Sequence, residues 1–271
     1  RAAGIEDAGR EARLLLSHAA GLDAAAIIGH PERHLAPEAM RAMAGAVSER
    51  ARRRPMAQVT GCREFWSLTF RVKPVTLVPR PDSEAIIGAV LDYVGDRRAP
   101  RKVLDLGTGS GCLLLALLSE LPNAIGLGTD ISAEAIAVAA ANAGTLGLGK
   151  RARFAVANWD RGLTGKFDIV VCNPPYIPSG EIDLLPPEIS RYEPRRALDG
   201  GRDGLDAYRA LAPSLTRRLA GCGFAAVEIG ADQRSVVETI FVDAGLGMTA
   251  CLADLAGVSR CLVVRIKTDL T

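Results

Sequence analysis

The feature that most narrows the possible folds is an alternation that begins near residue 82. Short β-rich apolar runs occur at Lys102–Leu106, Ala124–Thr129, Ala152–Ala157, Phe167–Cys172 and Gly223–Ile229. Helix-period stretches surround them at Ser83–Val94, Gly111–Glu120, Ala133–Leu146, Leu205–Ala220 and Gln233–Ala244. Strands covered on both faces read as continuous apolar runs, and repeated strand–helix–strand units build parallel sheets. This stretch therefore reads as α/β, with a doubly wound, largely parallel sheet. Met248–Asp254 and Arg260–Lys267 are expected to close it as a pair of strands around Ala256-Gly257. No internal repeat or low-complexity tract stands out.

The first 80 residues have a different character. Ile5–Ala20 places Ala8, Ala12, Leu15, Leu16 and Ala19 at helical spacing and stops at Gly21, a C-cap signal. Pro37–Arg53 starts with a proline suited to a helix N-terminus and ends in a basic run, Arg50 and Arg52–Arg54, before Pro55. That run reads either as a solvated helix end complementing the dipole or as a contact to RNA or an acidic partner. From residue 56 to 78, Phe65, Trp66, Leu68, Phe70, Val72, Val75, Leu77 and Val78 give a partly alternating β pattern, with Lys73-Pro74 as its turn. The expected organisation is a small helical bundle over 1–55, a β-hairpin linker over 56–78 and the sheet domain over 79–271.

Composition removes several classes of function. The chain has 271 residues, 48% hydrophobic, with net charge +2, so it is too apolar and too weakly charged to be mainly disordered. Its densest apolar run, Leu113–Leu118, is far short of the roughly 18 residues a spanning helix needs, so no membrane association is expected. No basic-then-apolar opening with a cleavage site is present, so no secretion signal is read. Six scattered cysteines without a CxxC, and histidines only at 18, 30 and 34, give no metal-binding pattern, and no metal is expected. Buried or reduced thiols in a cytoplasmic protein are the expected state. Residues 1–80 carry charge +5 and residues 81–271 carry −3. The basic front suits a partner with some negative surface, and free duplex DNA calls for a stronger basic stripe.

The first strand of the alternation runs into Asp105-Leu-Gly107-Thr-Gly109-Ser-Gly111, and a helix follows. Glycines allow a tight turn and close approach of a ligand, and the helix N-terminus offers unpaired N–H groups. Asp130 ends the second strand, 19 residues beyond Gly111, where a carboxylate can accept both ribose hydroxyls. Dinucleotide sites use GxGxxG, whereas the third glycine here comes one residue early and Cys112 stands where the longer spacing wants Gly. Asp105 would also repel a pyrophosphate. A nucleoside carrying a cationic amino-acid tail fits better, with Asp105 helping to hold the ammonium, and that ligand is S-adenosylmethionine, leaving S-adenosylhomocysteine as product. Asn158-Trp159 follows the third strand on the same sheet edge, where an amide and an indole can bond and stack on adenine, or simply cap a turn over a core Trp.

The fourth strand ends in Val170-Val-Cys-Asn173-Pro174-Pro175-Tyr176. Ligands of open α/β sheets bind outside the carboxyl ends of the strands, where this tetrapeptide falls. Two prolines fix φ and remove two backbone donors, giving a stiff loop that exposes carbonyls. The Asn173 side-chain carbonyl and the Pro174 backbone carbonyl can accept both hydrogens of a planar NH₂ group, and Tyr176 offers a face or hydroxyl beside it. An amide or aromatic amine is a poor nucleophile because its lone pair is delocalised. Two acceptors raise the electron density on nitrogen and aim it at a methyl donor, which is positioning plus electrostatic stabilisation.

Taken together, these residues resemble the HemK/PrmC family, methyltransferases of a glutamine side-chain amide in class I peptide-chain release factors. The resemblance covers nearly the whole chain. It includes Arg13-Leu-Leu-Leu, Pro55-Met-Ala-Gln-Val-Thr-Gly61, Arg63-Glu-Phe-Trp66 and Thr76-Leu-Val-Pro-Arg80-Pro-Asp-Ser-Glu84, then the GxGxG turn and Asn173-Pro-Pro-Tyr176. It ends with Tyr192-Glu-Pro-Arg-Arg-Ala-Leu-Asp-Gly-Gly201 and Asp203-Gly-Leu-Asp206. The Asn-Pro-Pro-Tyr motif is shared with other amine methyltransferases, whereas the Arg80–Glu84 and Tyr192–Asp206 segments are more family-specific. The resemblance implies a class I, Rossmann-like S-adenosylmethionine-dependent sheet. It also implies that Gly107, Thr108, Gly109, Ser110, Gly111, Asp130 and Trp159 contact the cofactor. Asn173 to Tyr176 would hold the glutamine of the Gly-Gly-Gln loop, with Asn173 near the methyl donor, and the helical front would dock the release factor. Arg80 and Glu84 are implied to help close the site. Asn158 stands where relatives often have Asp, Cys172 where they often have Ser, and Cys62 where they often have Glu.

Other readings share parts of this pattern. A nucleic-acid amine methyltransferase would use the same tetrapeptide on a flipped base, but it calls for a larger basic surface and a target-recognition segment. A glutamine of a ribosomal protein is a sibling substrate with the same chemistry. A binding module without catalysis conflicts with the intact Asn173–Tyr176 motif, and a nicotinamide oxidoreductase conflicts with the glycine spacing. A monomer without direct contact to duplex DNA is expected.

Overall fold

Two units divide the chain between Cys62 and Arg63, and the segment Leu185–Tyr192 belongs with the first of them. The computed structural model describes residues 3–254 and 257–267.

The first unit is helical. Helix α1 (Ala8–Ala20) starts at Asp7, whose carboxylate accepts the Arg10 N–H, and stops at Gly21 in the left-handed conformation, as the sequence suggests. The short α2 (Ala24–Gly29) is capped in the same way by Asp23. α3 (Pro37–Ala51) and α4 (Met56–Thr60) follow. The sequence reading passes over α2 and α4, whose five or six residues are too few to show a helical period.

The basic run at the end of α3 is a solvated helix end only in part, with Arg52 exposed and Arg50 turned inward. Arg50 is buried and pairs with Glu11 at 2.6 Å and with Glu188 at 3.0 Å. Arg53 reaches the same Glu188 at 2.7 Å, Arg54 pairs with Glu49, and Tyr192 donates its hydroxyl to the Arg52 carbonyl. Two guanidiniums converge on Glu188 and hold its carboxyl below the ordinary range against the opposing effect of burial. These pairs tie Leu185–Tyr192, which includes a helical turn at Pro187–Ser190, into the helical unit across about 135 residues of sequence.

The second unit opens with the hairpin of β1 (Cys62–Phe65) and β2 (Leu68–Arg71). Its turn is Trp66-Ser67, both at positive φ, rather than Lys73-Pro74, and no strand forms over residues 72–78. The turn is held from outside: the Trp66 N–H donates to Glu84 at 2.9 Å and its indole to Glu120 at 2.8 Å. Those bonds offset the left-handed conformation of two residues that rarely adopt it.

The chain continues through α5 (Glu84–Tyr93), β3 (Lys102–Leu106), α6 (Cys112–Glu120), β4 (Ile125–Asp130), α7 (Ala133–Thr145), β5 (Ala152–Val156) and β6 (Phe167–Cys172). After the turn at Pro187–Ser190 (α8) come α9 (Asp206–Arg218), β7 (Leu219–Glu228), α10 (Arg234–Asp243), β8 (Leu246–Ala253) and β9 (Ser259–Ile266). The seven strands lie in the order β5-β4-β3-β6-β7-β9-β8, and β9 alone runs against its neighbours. The expected closing pair of strands is present, but Ala256 of its expected turn lies outside the described residues.

Side-chain alternation splits the core into two layers. Val103, Ile169, Val171, Ala226 and Val263 pack on one face with α5 and α6, whereas Leu104, Leu106, Val170, Ala225, Val227 and Leu262 pack on the other with α9 and α10. Strand order reverses between β3 and β6, which pair in parallel with Leu106 opposite Cys172. The loops leaving these two strands therefore emerge side by side, and a crevice forms at such a reversal.

Candidate active site

The loop after β3 is built from backbone bonds and three left-handed glycines, Gly107, Gly109 and Gly111. The Gly107 and Thr108 N–H groups donate to the Thr129 carbonyl at 2.9 and 2.8 Å, anchoring the turn to β4. Asp130, at the end of β4, accepts the Gly109 N–H at 3.0 Å on Oδ2 and the Ser132 N–H at 2.9 Å on Oδ1. A Cβ on Gly111 would lie 3.1 Å from Ala139 Cβ, so this glycine allows the start of α6 to press against α7.

Beneath the loop lies Asp105. It is wholly buried, accepts the Thr108 hydroxyl at 2.6 Å on Oδ2, and among the described residues no donor reaches Oδ1 with hydrogen-bonding geometry. Burial, reinforced by the charge of Asp130, pushes its carboxyl up to about 7. Gly128 makes this arrangement possible, because a Cβ there would lie 2.7 Å from Thr108 Oγ1.

A cavity of about 310 Å³ opens above the loop. Gly107, Thr108, Gly109, Ser110 and Asp130 line one side, and Asn158 and Trp159 continue it. Trp159 is held at positive φ, with its carbonyl accepting the Thr129 hydroxyl at 3.1 Å. Asn173 and Pro175 line the opposite side. Four expected site residues stand behind this surface rather than on it: Asp105, Gly111, Pro174 and Tyr176. Asp105 therefore lies below the loop, because its position in β3 keeps the side chain buried.

The Asn173–Tyr176 loop is clamped from several elements. Asn173 Nδ2 donates to Ser83 Oγ at 2.9 Å. Tyr176 donates its hydroxyl to Glu228 at 3.2 Å, so the hydroxyl is turned inward instead of facing a ligand. Its carbonyl accepts from Gln233 Nε2 at 2.9 Å, while Gln233 Oε1 accepts from Tyr208 and the Gly230 N–H. Gly204, at positive φ, sits so close to the Tyr176 carbonyl and Gln233 that no Cβ fits. Burial pushes the Glu228 carboxyl up to about 7, offset by the nearby Ser83 and Tyr176 hydroxyls and by Arg260. Buried Cys172 has its thiol pushed well up by the same desolvation, which makes it an inert filler.

Several lining residues were not singled out from the sequence as site residues: Val75–Pro79, Ser83, Ile131 and Arg196. Ser83 belongs to the family-specific segment Arg80–Glu84, but no periodicity marks a serine before a helix as facing a ligand. Arg80 also lines the cavity and pairs with the buried Glu193 at 2.5 Å. Glu84 instead serves the hairpin turn.

Comparison with known proteins matches these features. The PrmC N-terminal domain matches residues 1–61, and the methyltransferase small domain matches residues 89–184. A release factor glutamine methyltransferase of Rhodospirillum rubrum is 45% identical over 268 residues, covering 98% of this chain and 81% of that one. The chain belongs to the release factor glutamine methyltransferase family. The family member from Caulobacter vibrioides is 44% identical and covers 99% of this chain and 92% of its own. Among solved structures, the catalytic domain of hMettl16 bound to an RNA hairpin aligns with a TM-score of 0.61 at 18% identity, over 80% of this chain and 83% of that one. The ribosomal protein L11 methylase of Lactobacillus delbrueckii subsp. bulgaricus gives 0.55 at 20% identity, over 72% and 82%. At those identities the likeness shows the shared class I methyltransferase fold.

The methyl donor of this family member is S-adenosylmethionine, and the cavity fits it. Ribose hydroxyls call for a carboxylate, and Asp130 lines the cavity. The base calls for flat apolar walls with one amide, and Trp159, Ile131 and Asn158 are among the lining residues. A backbone-lined turn without side chains at Gly107 and Gly109 suits the amino-acid tail. Among the described residues, no helix is long and apolar enough to cross a membrane, and no cluster of three His, Cys, Asp or Glu is placed to hold a metal.

Proposed function

We propose that this protein transfers a methyl group from S-adenosylmethionine to the side-chain amide nitrogen of the glutamine in the Gly-Gly-Gln motif of class I peptide-chain release factors. It works in the cytoplasm as a monomer, without contact to duplex DNA. The observation that carries the reading is that Asn173 and the glycine loop line one cavity at the strand-order reversal. The family supplies the substrate class.

When bound, the cofactor supplies an electrophilic sulfonium methyl. The glycine loop, Asp130, Asn158 and Trp159, which line one side of the cavity, would hold it there. Asn173 Oδ1 accepts one hydrogen of the glutamine amide, and the Pro174 backbone carbonyl, behind it, accepts the other. Pro174 and Pro175 stiffen this pair of acceptors so that little reorganisation is needed as positive charge develops on nitrogen. The chain would need no strong base before attack, because the amide proton becomes acidic only once the nitrogen carries a methyl group. The helical front, residues 1–55, serves as the docking surface.

The test incubates the protein with methyl-labelled S-adenosylmethionine and a class I release factor, then locates the methyl by mass spectrometry. Label on the Gly-Gly-Gln glutamine is expected, and its absence there refutes the reading. Asn173→Ala should lower transfer by about a hundredfold or more while cofactor binding persists.

A further inference from the structure

We propose that Asp160, fixed by two guanidiniums and a hydroxyl at the end of α9, holds Trp159 in the wall of the cofactor cavity, which makes Asp160 a positioning residue for the nucleoside end of S-adenosylmethionine. The inference deepens the methyl-transfer reading and rests on its assignment of Trp159 to the cofactor.

Trp159 does not reach its conformation unaided. Its φ is +52°, in the left-handed region that a residue with a Cβ seldom occupies. Asn158 and Trp159 also form a thin partition. They line the cofactor cavity on one side and a second hollow of about 410 Å³ on the other. The indole packs only in part on the apolar layer that faces α9 and α10. A turn with open space on both sides has little packing to fix it, so polar contacts carry that task.

Those contacts flank the indole. Upstream, the Ala157 N–H donates to the Asp130 carbonyl at 2.9 Å, and the Trp159 carbonyl accepts the Thr129 hydroxyl at 3.1 Å. Downstream stands the buried Asp160. Its Oδ1 accepts Ser214 Oγ and Arg217 Nη2, both at 2.8 Å. Its Oδ2 accepts Arg217 Nε at 3.1 Å and Arg218 Nε at 2.8 Å. The donors all belong to the last two turns of α9, a helix anchored in the core by Leu211, Ala212 and Leu215. The clamp therefore passes the rigidity of a packed helix to the residue beside the indole. The Arg161 N–H donates to the Asn158 carbonyl at 3.1 Å and the Leu163 N–H to the Asp160 carbonyl at 3.0 Å, so the turn moves as one piece.

The clamp calls for a carboxylate. A carboxylate accepts a guanidinium through both oxygens and keeps lone pairs for Ser214 and Arg218, whereas an Asn there would turn an NH₂ toward a guanidinium. The bonds from Arg217, Arg218 and Ser214 outweigh burial and keep the Asp160 carboxyl well below its ordinary range, so it stays ionised near neutral pH. Asp160 lines the second hollow and not the cofactor cavity, so it acts through Trp159 and not on the ligand.

The experiment uses the full chain. Calorimetry measures affinity for S-adenosylhomocysteine, and acrylamide quenching measures the accessibility of Trp159 in the ligand-free protein. The chain has two tryptophans, and Trp159→Ala assigns the emission of interest. Asp160→Asn should raise that accessibility and weaken affinity about tenfold, as when about one loop in ten is competent to bind. The KM for S-adenosylmethionine should rise by the same factor, with kcat lowered less than about twofold. Replacing Arg217 and Arg218 together with Ala should have a similar effect, and adding Asp160→Asn to that pair should cost no further affinity, because the three side chains act as a unit. A purely structural loss would lower the melting midpoint and move neither quenching nor affinity. Asp160→Asn with wild-type quenching, or with affinity within about twofold of wild type, overturns the proposal. Should Asp160→Asn fail to fold, Arg217→Ala alone, at a half-exposed position, is expected to weaken affinity about threefold, and unmoved quenching and affinity there overturn the proposal too. If Trp159→Ala binds as tightly as wild type, the assignment of Trp159 to the cofactor fails and the proposal falls with it. If Trp159→Ala binds weakly while Asp160→Asn binds normally, that assignment stands and only the positioning role is refuted.

Discussion

Replacing Asp105 with Asn should make the ligand-free protein more stable and its cofactor affinity weaker. The Asp105 carboxyl is wholly buried and is pushed from 3.8 up to about 7. The folded state therefore holds this proton more tightly than the unfolded chain does. Between about pH 4 and pH 7, folding takes up a proton, so stability falls as pH rises through that window and stays low above it. At about 1.4 kcal/mol per tenfold change, the ionised carboxylate opposes folding by about 4 kcal/mol above neutral pH. An Asn keeps the shape and can still accept the Thr108 hydroxyl, but it gives up a charge-assisted bond, so about 2 kcal/mol of net gain is expected.

For a unit of this size that corresponds to a rise of about 5 °C in the melting midpoint at pH 8, with almost none at pH 4. Thermal melting of ligand-free wild type and Asp105→Asn from pH 4 to pH 8 measures it. Glu228, pushed up to about 7 by its own burial, contributes a slope of the same sign. The variant curve should therefore be flatter than wild type without becoming level. Parallel curves for the two proteins would refute the assignment of the slope to Asp105. Calorimetry with S-adenosylmethionine supplies the second half, because removing a negative charge beneath the loop should weaken binding of a cationic ligand.

Two further outcomes follow from other contacts. Gly204→Ala places a methyl 2.8 Å from Gln233 Nε2 and against the Tyr176 carbonyl, at a φ of +76° that disfavours any side chain. It should cost about 2 kcal/mol and slow methyl transfer more than it weakens cofactor binding, as read by melting, calorimetry and single-turnover rates. Glu188→Ala removes the carboxylate shared by Arg50 and Arg53 and leaves a buried guanidinium with Glu11 alone. Hydrogen exchange at Leu185–Tyr192 should rise about tenfold or more, and unchanged protection would show that the pairs do not hold the segment.

Most of the sheet was legible because its signal is local. Lys102–Leu106 and Phe167–Cys172 appear as strands at the residues the apolar runs mark, and the other strands differ by a few positions. The glycine turn and the Asn173–Tyr176 loop were legible as types, and their proximity follows from strand order alone. What the sequence hid depends on contacts distant in the chain. The Trp66-Ser67 turn carries no Gly or Asn to announce positive φ, because its bonds come from Glu84 and Glu120. Glu188 reads as an ordinary surface acid until Arg50 and Arg53 are brought to it. Asp105 reads as a ligand to a cationic tail, and only the direction of its strand shows that it lies beneath the loop.

The two buried acids explain each other's position. Asp105 lies one residue before the end of β3 at the reversal and Glu228 ends β7, next to β6, and each lies under one of the two loops that meet at the cavity. Neither carboxyl has a full set of hydrogen-bond donors: Asp105 Oδ1 and Glu228 Oε2 are both buried without a well-formed bond. Such groups are tolerated when they serve a function that a satisfied core would not. Here the ligand carries a sulfonium and an ammonium, and the acceptor nitrogen becomes positive during transfer. On the proposed function, negative charge below both loops would favour those positive charges, through a low-dielectric interior where it is weakly screened. In the ligand-free state the same charge is uncompensated, and each carboxyl responds by holding its proton up to about pH 7. The loss of stability in the empty protein and the attraction for a cationic ligand are thus two consequences of one electrostatic arrangement.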